Sequence, residues 1–119
     1  MTRVLVVDDE VGMRETLVDI LEGAGYEVAA AADGQIAMAA VTDEVFDVVV
    51  MDIRMPGRDG VSVLQDMGPP PPRVIMMTAY AVEEQLRLAM DAQAFAVLHK
   101  PFQVGYLLGL VEGAAGAES

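Results

Sequence analysis

Five short apolar runs rich in valine, isoleucine, alanine and methionine recur along the chain, at residues 3–7, 26–30, 47–51, 73–77 and 94–98. Runs of this length with little polar alternation are strands buried on both faces, and a sheet buries its strands that way when helices cover both of its sides. The segments between them carry helical periodicity, so the pattern predicts parallel strands joined by right-handed crossovers in an α/β, doubly wound, three-layer sandwich. In that architecture ligands bind at the carboxyl ends of the strands.

The helices are predicted at residues 11–22, 34–41, 61–67, 82–91 and 103–113. The first places Met13, Leu17, Ile20 and Leu21 on one face, with Gly23 and Gly25 as its stop; the second follows Asp33 as a cap candidate. Leu86 and Met90 fall in register on the fourth. In the last, Leu107, Leu110 and Val111 fit a core stripe, which leaves Tyr106 or Leu108 for an outward apolar patch. Residues 113–119 read as a frayed tail, and Pro69 to Pro72 as a rigid polyproline II connector rather than an SH3-type ligand. Five strands and five helices give a flavodoxin-like (βα)5 fold in one domain over 1–119.

Composition supports that reading. The 119 residues are 54% apolar, enough for one core, and contain no cysteine, so neither a disulfide framework nor a thiolate metal site is available. Seven basic against nineteen acidic side chains leave a formal charge of -12, the opposite of a nucleic-acid footprint, so no direct nucleic acid partner is expected. The first apolar run stops at once at Asp8, Asp9 and Glu10, too short for a signal peptide or membrane span, so a cytoplasmic chain with no membrane contact is expected.

Chemistry collects at the strand ends. The first strand ends in Asp8 and Asp9 and the third in Asp52; the fourth ends in Thr78, and Lys100, the single lysine, follows the fifth. Three carboxylates at one sheet edge repel unless a cation compensates, and oxygen ligands with open water positions suit Mg²⁺. A metal, an ammonium and a hydroxyl around one aspartate match the demands of in-line phosphoryl transfer. Singly, each residue is as well explained as a turn former, a strand residue or a solvated charge; four strand ends converging on complementary chemistry are not.

Over nearly its whole length the sequence resembles the receiver domains of response regulators in bacterial two-component signalling, with the fold of the chemotaxis regulators and strand order 2-1-3-4-5. The resemblance rests on Val4 to Val7 followed by Asp8-Asp9-Glu10, on Val50-Met51-Asp52-Ile53-Arg54-Met55-Pro56-Gly57 with Asp59-Gly60, on Met77-Thr78-Ala79 and on Lys100-Pro101-Phe102. It implies that Asp52 accepts a phosphoryl group from a sensor histidine kinase or phosphotransfer protein. It implies Mg²⁺ held by Asp9, Asp52 and the backbone carbonyl of Arg54, with Asp8 acting through a water. Lys100 and Thr78 would contact the phosphoryl oxygens, and Lys100-Pro101 would be cis. The domain would be a switch rather than a conventional enzyme, limited to self-phosphorylation and slow self-hydrolysis. It would pass the signal to an effector protein or output domain, as a stand-alone receiver or as the amino-terminal module of a longer regulator. A homodimer through the helix at 82–91, the fifth strand and the last helix is a further implied partner arrangement.

Some positions depart from the family pattern. The aromatic residue that the family places three before the lysine is Val97 here, with Phe95 and Tyr80 as substitutes to weigh; Tyr80 either shields the phosphoryl group or belongs to the following helix. Arg54 is either a surface charge or a neighbour of the phosphoryl group, Met55, Pro56, Gly57 and Gly60 read as loop geometry, and His99 reads as solvent-facing. A haloacid-dehalogenase-type phosphohydrolase needs a second aspartate where Arg54 stands. A flavin binder needs a phosphate-cradling loop where Asp8, Asp9 and Glu10 stand. The other alternative is a degenerate receiver that signals without phosphorylation.

Overall fold

The computed structural model describes residues 1–55, 58–68, 72–79, 87 and 90–116. The strands are β1 (Arg3–Val7), β2 (Glu27–Ala31), β3 (Val48–Asp52), β4 (Arg73–Thr78) and β5 (Ala96–His99). The helices with stated bounds are α1 (Val11–Gly23), α2 (Gly34–Asp43), α3 (Gly60–Asp66) and, at the C-terminal end, α4 (Val104–Gly116). The strands form one parallel sheet in the order β2-β1-β3-β4-β5. The fold is therefore the flavodoxin-like three-layer sandwich that the apolar runs predict.

Alternation along the buried strands divides the core in two. Val4, Val6, Val48, Val50, Ile75 and Met77 face α1 and α4, where Leu17, Leu21, Leu107 and Val111 close the layer. Leu5, Val7, Val49, Met51, Val74 and Met76 face α2 and α3, against Ala37, Val63 and Leu64. The central strands β1, β3 and β4 thus bury both rows of side chains, which is why they read as continuous apolar runs. The edge strands β2 and β5 are only partly covered and do not meet the expectation of burial on both faces.

Local signals explain the boundaries. Helix α1 ends at Ala24 in a Schellman arrangement: the Gly25 N–H donates to the Glu22 carbonyl and the Tyr26 N–H to that of Leu21, with Gly25 at φ +96°. Asp33 caps α2 by accepting from the Ile36 N–H at 2.8 Å, and Asp59 caps α3 by accepting from that of Ser62 at 2.8 Å. Helix α3 therefore begins one residue before its predicted start. Strand β5 begins at Ala96 rather than at residue 94, because Phe95 precedes the ladder and its N–H bonds the Val74 carbonyl near the start of β4.

Two expectations for the C-terminal segment are corrected. Residues 113–116 remain helical rather than frayed, because Ala114 is buried and holds the last turn of α4 onto the sheet. Leu108 is half-buried and packs on the core with Leu110, so it does not form an outward patch; Tyr106 does point outward, at 59% exposure. The helix expected at 82–91, apart from residues 87, 90 and 91, and the prolines 69–71 lie outside the described residues.

Candidate functional site

The carboxyl ends of β1 and β3 are neighbours in the sheet, with Val7 opposite Met51, so the residues just beyond them meet. Asp8, Asp9 and Asp52 each present a carboxylate oxygen within 4.8 Å of the others. Asp8 is fully buried, Asp52 half-buried and Asp9 exposed, so the cluster opens to solvent on the Asp9 side.

Lys100 joins the group from the far strand. Its N–H donates to the Thr78 carbonyl at 2.7 Å, continuing the β4–β5 ladder one residue beyond His99, and its peptide bond to Pro101 is cis. Its Nζ lies 3.0 Å from Asp52 Oδ2 and 3.1 Å from Asp8 Oδ2, bridging the two carboxylates. The Arg54 N–H donates to Asp52 Oδ1 at 3.0 Å, which fixes the carboxylate plane from the loop that follows β3. Thr78 ends β4 as a buried hydroxyl residue at the same edge, one position beyond Met77, the register partner of Asp52.

Burial and charge oppose each other here. Burial raises the Asp52 carboxyl above its ordinary value of 3.8, and the Asp8 charge adds to the rise, while Lys100 and the Arg54 amide pull it back. For Lys100, burial works against the ammonium, but its hydrogen bonds to Asp52 and Asp8 outweigh that, and its pKa is raised above 10.5. Three carboxylates against one ammonium leave a surplus of two negative charges among hard oxygen donors. That donor set fits a divalent cation of the Mg²⁺ kind, with waters able to enter beside exposed Asp9.

A family model for the response regulator receiver domain matches residues 4–112. This chain belongs to the response regulator receiver family. It is 38% identical over its whole length to the regulatory protein AtoC of Escherichia coli, but spans only 26% of that protein. It is 35% identical to the sporulation initiation phosphotransferase F of Bacillus subtilis, over 86% of this chain and 84% of that one. A CheY-like receiver domain structure from Methanospirillum hungatei superposes with a TM-score of 0.92 at 31% identity, covering 97% of this chain and 94% of that one. Receiver domains are signalling domains rather than conventional enzymes, and they work with kinases or phosphotransfer proteins on one side and output domains on the other.

The receiver's other singled-out residues separate clearly. Val97 is half-buried against the α2/α3 side of the core, while Phe95 sits at the opposite end of the sheet from Asp52, its ring 3.8 Å from where a Cβ on Gly113 would lie. Phe95 is thus too far along the strand to replace the family's aromatic residue. Tyr80 lies outside the described residues, His99 is exposed, and so is Arg54. Among the described residues no helix is long and apolar enough to cross a membrane.

Sequence reasoning misread one support of the site and missed another. Gly60, expected to serve loop geometry, is the buried first residue of α3, Met55 is buried in the core, and Pro56 and Gly57 lie outside the described residues. A Cβ on Gly60 would lie 2.5 Å from the Asp52 carbonyl oxygen and 2.7 Å from Met76 Cε, so α3 starts directly beneath the end of β3. The glycine in Asp59-Gly60 is therefore a close-approach position, and its place right after a capping aspartate was the available signal. The other is Arg14, whose Nη1 donates to the Asp8 carbonyl at 2.8 Å. Its place in the first turns of an amphipathic helix gave no hint of that contact.

Proposed function

We propose that this domain is a phosphorylation-controlled signalling switch in which Asp52 is the phosphoryl acceptor. The observation that carries the reading is the Lys100 ammonium bridging Asp52 and Asp8, at 3.0 and 3.1 Å, beside a third carboxylate on Asp9. An Asp52 oxygen attacks phosphorus, the bond from phosphorus to the donor nitrogen or oxygen breaks, and a β-aspartyl phosphate results. Lys100 would pair with the incoming phosphoryl oxygens, and Thr78 would hydrogen-bond one of them. Asp9, Asp52 and the Arg54 carbonyl would hold Mg²⁺, with Asp8 acting through a water. When bound, that ion neutralises charge that develops on the transferring group.

The donor in this reading is a sensor histidine kinase or phosphotransfer protein, and the output is a changed preference for an effector, an output domain or a second copy of the chain. Residues 1–119 form one cytoplasmic receiver domain, on its own or as the amino-terminal module of a longer regulator, whose own chemistry is self-phosphorylation and self-hydrolysis. Fluorine NMR with beryllofluoride tests the reading. A bound resonance that needs Mg²⁺ and vanishes in Asp52→Asn supports it. No bound resonance in the wild type would leave a degenerate receiver that signals by contact alone.

A further inference from the structure

Asp8 is fully buried, and every polar group it owns is engaged: its N–H donates to the Ala31 carbonyl at 3.2 Å, Oδ1 accepts from the Glu10 N–H at 2.9 Å and Oδ2 from Lys100 Nζ at 3.1 Å. Its carbonyl lies beyond the last residue of β1 and before the first turn of α1, where neither ladder nor helix supplies a donor. Arg14 supplies it, reaching back from α1 with Nη1 at 2.8 Å. That contact fixes the plane of the Asp8–Asp9 peptide, and the plane in turn sets the direction in which Asp9, the solvent-facing carboxylate of the trio, leaves the backbone.

We propose that Arg14 is a positioning residue for the acidic site: by clamping the Asp8 carbonyl it aims Asp9 at Asp8 and Asp52, and so builds the cation-binding geometry before any cation arrives. The inference rests on the phosphoacceptor reading for its purpose, but its geometry stands in the metal-free protein.

The sign of one substitution separates this role from a bystander charge. Arg14 is a cation beside an acidic cluster; acting only through space, it would weaken Mg²⁺ binding, and its removal would tighten it. Acting as a clamp, its removal frees the peptide to rotate and weakens binding. Arg14→Met keeps the stem length and deletes the donor, while Arg14→Lys restores one charged donor.

By isothermal titration calorimetry we expect Arg14→Met to bind Mg²⁺ about tenfold more weakly, the scale of one charge-assisted hydrogen bond, and Arg14→Lys to recover much of the loss. In metal-free protein, hydrogen exchange at the Glu10 amide, which bonds Asp8 Oδ1, should quicken in Arg14→Met by more than the change in global stability accounts for. Unchanged or tighter Mg²⁺ binding in Arg14→Met would overturn the proposal. So would an equal loss in Arg14→Lys, or Glu10 exchange that merely tracks global stability. A wild type that fails to bind beryllofluoride defeats the phosphoacceptor reading alone, since the exchange experiment still decides the role of Arg14.

Discussion

Gly60→Ala is the substitution whose effect the geometry fixes most tightly. The new methyl would sit 2.5 Å from the Asp52 carbonyl oxygen, 2.7 Å from Met76 Cε and 3.2 Å from Ile53 Cα. Met76 can turn its terminal methyl aside, but the Asp52 carbonyl and Ile53 Cα are backbone, so either α3 or the end of β3 must move. Overpacking costs about 1–3 kcal/mol, and a 2.5 Å contact with backbone puts this one in the upper half of that range, at about 2–3 kcal/mol. Alanine offsets up to about 1 kcal/mol of that through its better helix propensity and the smaller entropy of the unfolded chain. A net loss of about 1–2 kcal/mol corresponds to a midpoint lower by roughly 4–8 °C for a domain of this size. The same displacement reaches the backbone that carries the acceptor carboxylate, so phosphoryl uptake should fall as well. Gly109→Ala in α4 is the matched control, because nothing lies within 4 Å of its Cβ position. It should stabilise the domain by about 0.5–1 kcal/mol. Thermal unfolding followed by circular dichroism measures both. A Gly60→Ala variant as stable as the wild type, or Gly109→Ala destabilised to the same degree, would refute the close-approach argument.

Other expectations follow from the charges at the site. Lys100→Met removes the cation shared by Asp8 and Asp52, so the Asp52 pKa should rise further and adduct formation from acetyl phosphate should be largely lost, read by carboxyl carbon NMR and intact mass. Because the folded pKa of Asp52 is raised, its stabilising share is present below its ordinary value of 3.8 and is lost as pH climbs through the raised value. Asp52→Asn should therefore be more stable than the wild type near neutrality, with the difference closing in acid, as urea titrations at several pH values would show. Lys100 is raised too, so the stability it brings holds below 10.5 and fades only as pH rises through its higher folded value, giving an alkaline limb that Lys100→Met should lack. Mg²⁺ at a hundred times its dissociation constant should stabilise the wild type by about 2.7 kcal/mol, and EDTA should abolish the gain.

The sheet and the acidic edge were legible because they rest on strong, local signals. Buried parallel strands such as Val48–Asp52 must be apolar on both faces, and Asp8, Asp9, Asp52, Thr78 and Lys100 all sit where a strand ends. Strand boundaries drifted by a residue or two where a flanking residue is itself apolar, as at Phe95. Of the two candidates for an outward patch, Tyr106 is exposed and Leu108 is not: Leu108 is apolar and near the edge of the stripe, and only the packing of α4 on the sheet shows that it leans inward. Arg14 escaped notice and Gly60 was read as loop geometry because their roles are long-range. One depends on how far a side chain reaches back across a helix start, the other on how closely a helix passes under a strand, and neither leaves a periodic trace in the sequence.

Intact-mass spectrometry after incubation with acetyl phosphate and Mg²⁺, with peptide mapping of the product, decides whether Asp52 takes a phosphoryl group. A single phosphoryl adduct is expected on the peptide that contains Asp52, absent with EDTA and absent in Asp52→Asn. An adduct that persists in Asp52→Asn, or none in the wild type, would contradict Asp52 as the acceptor.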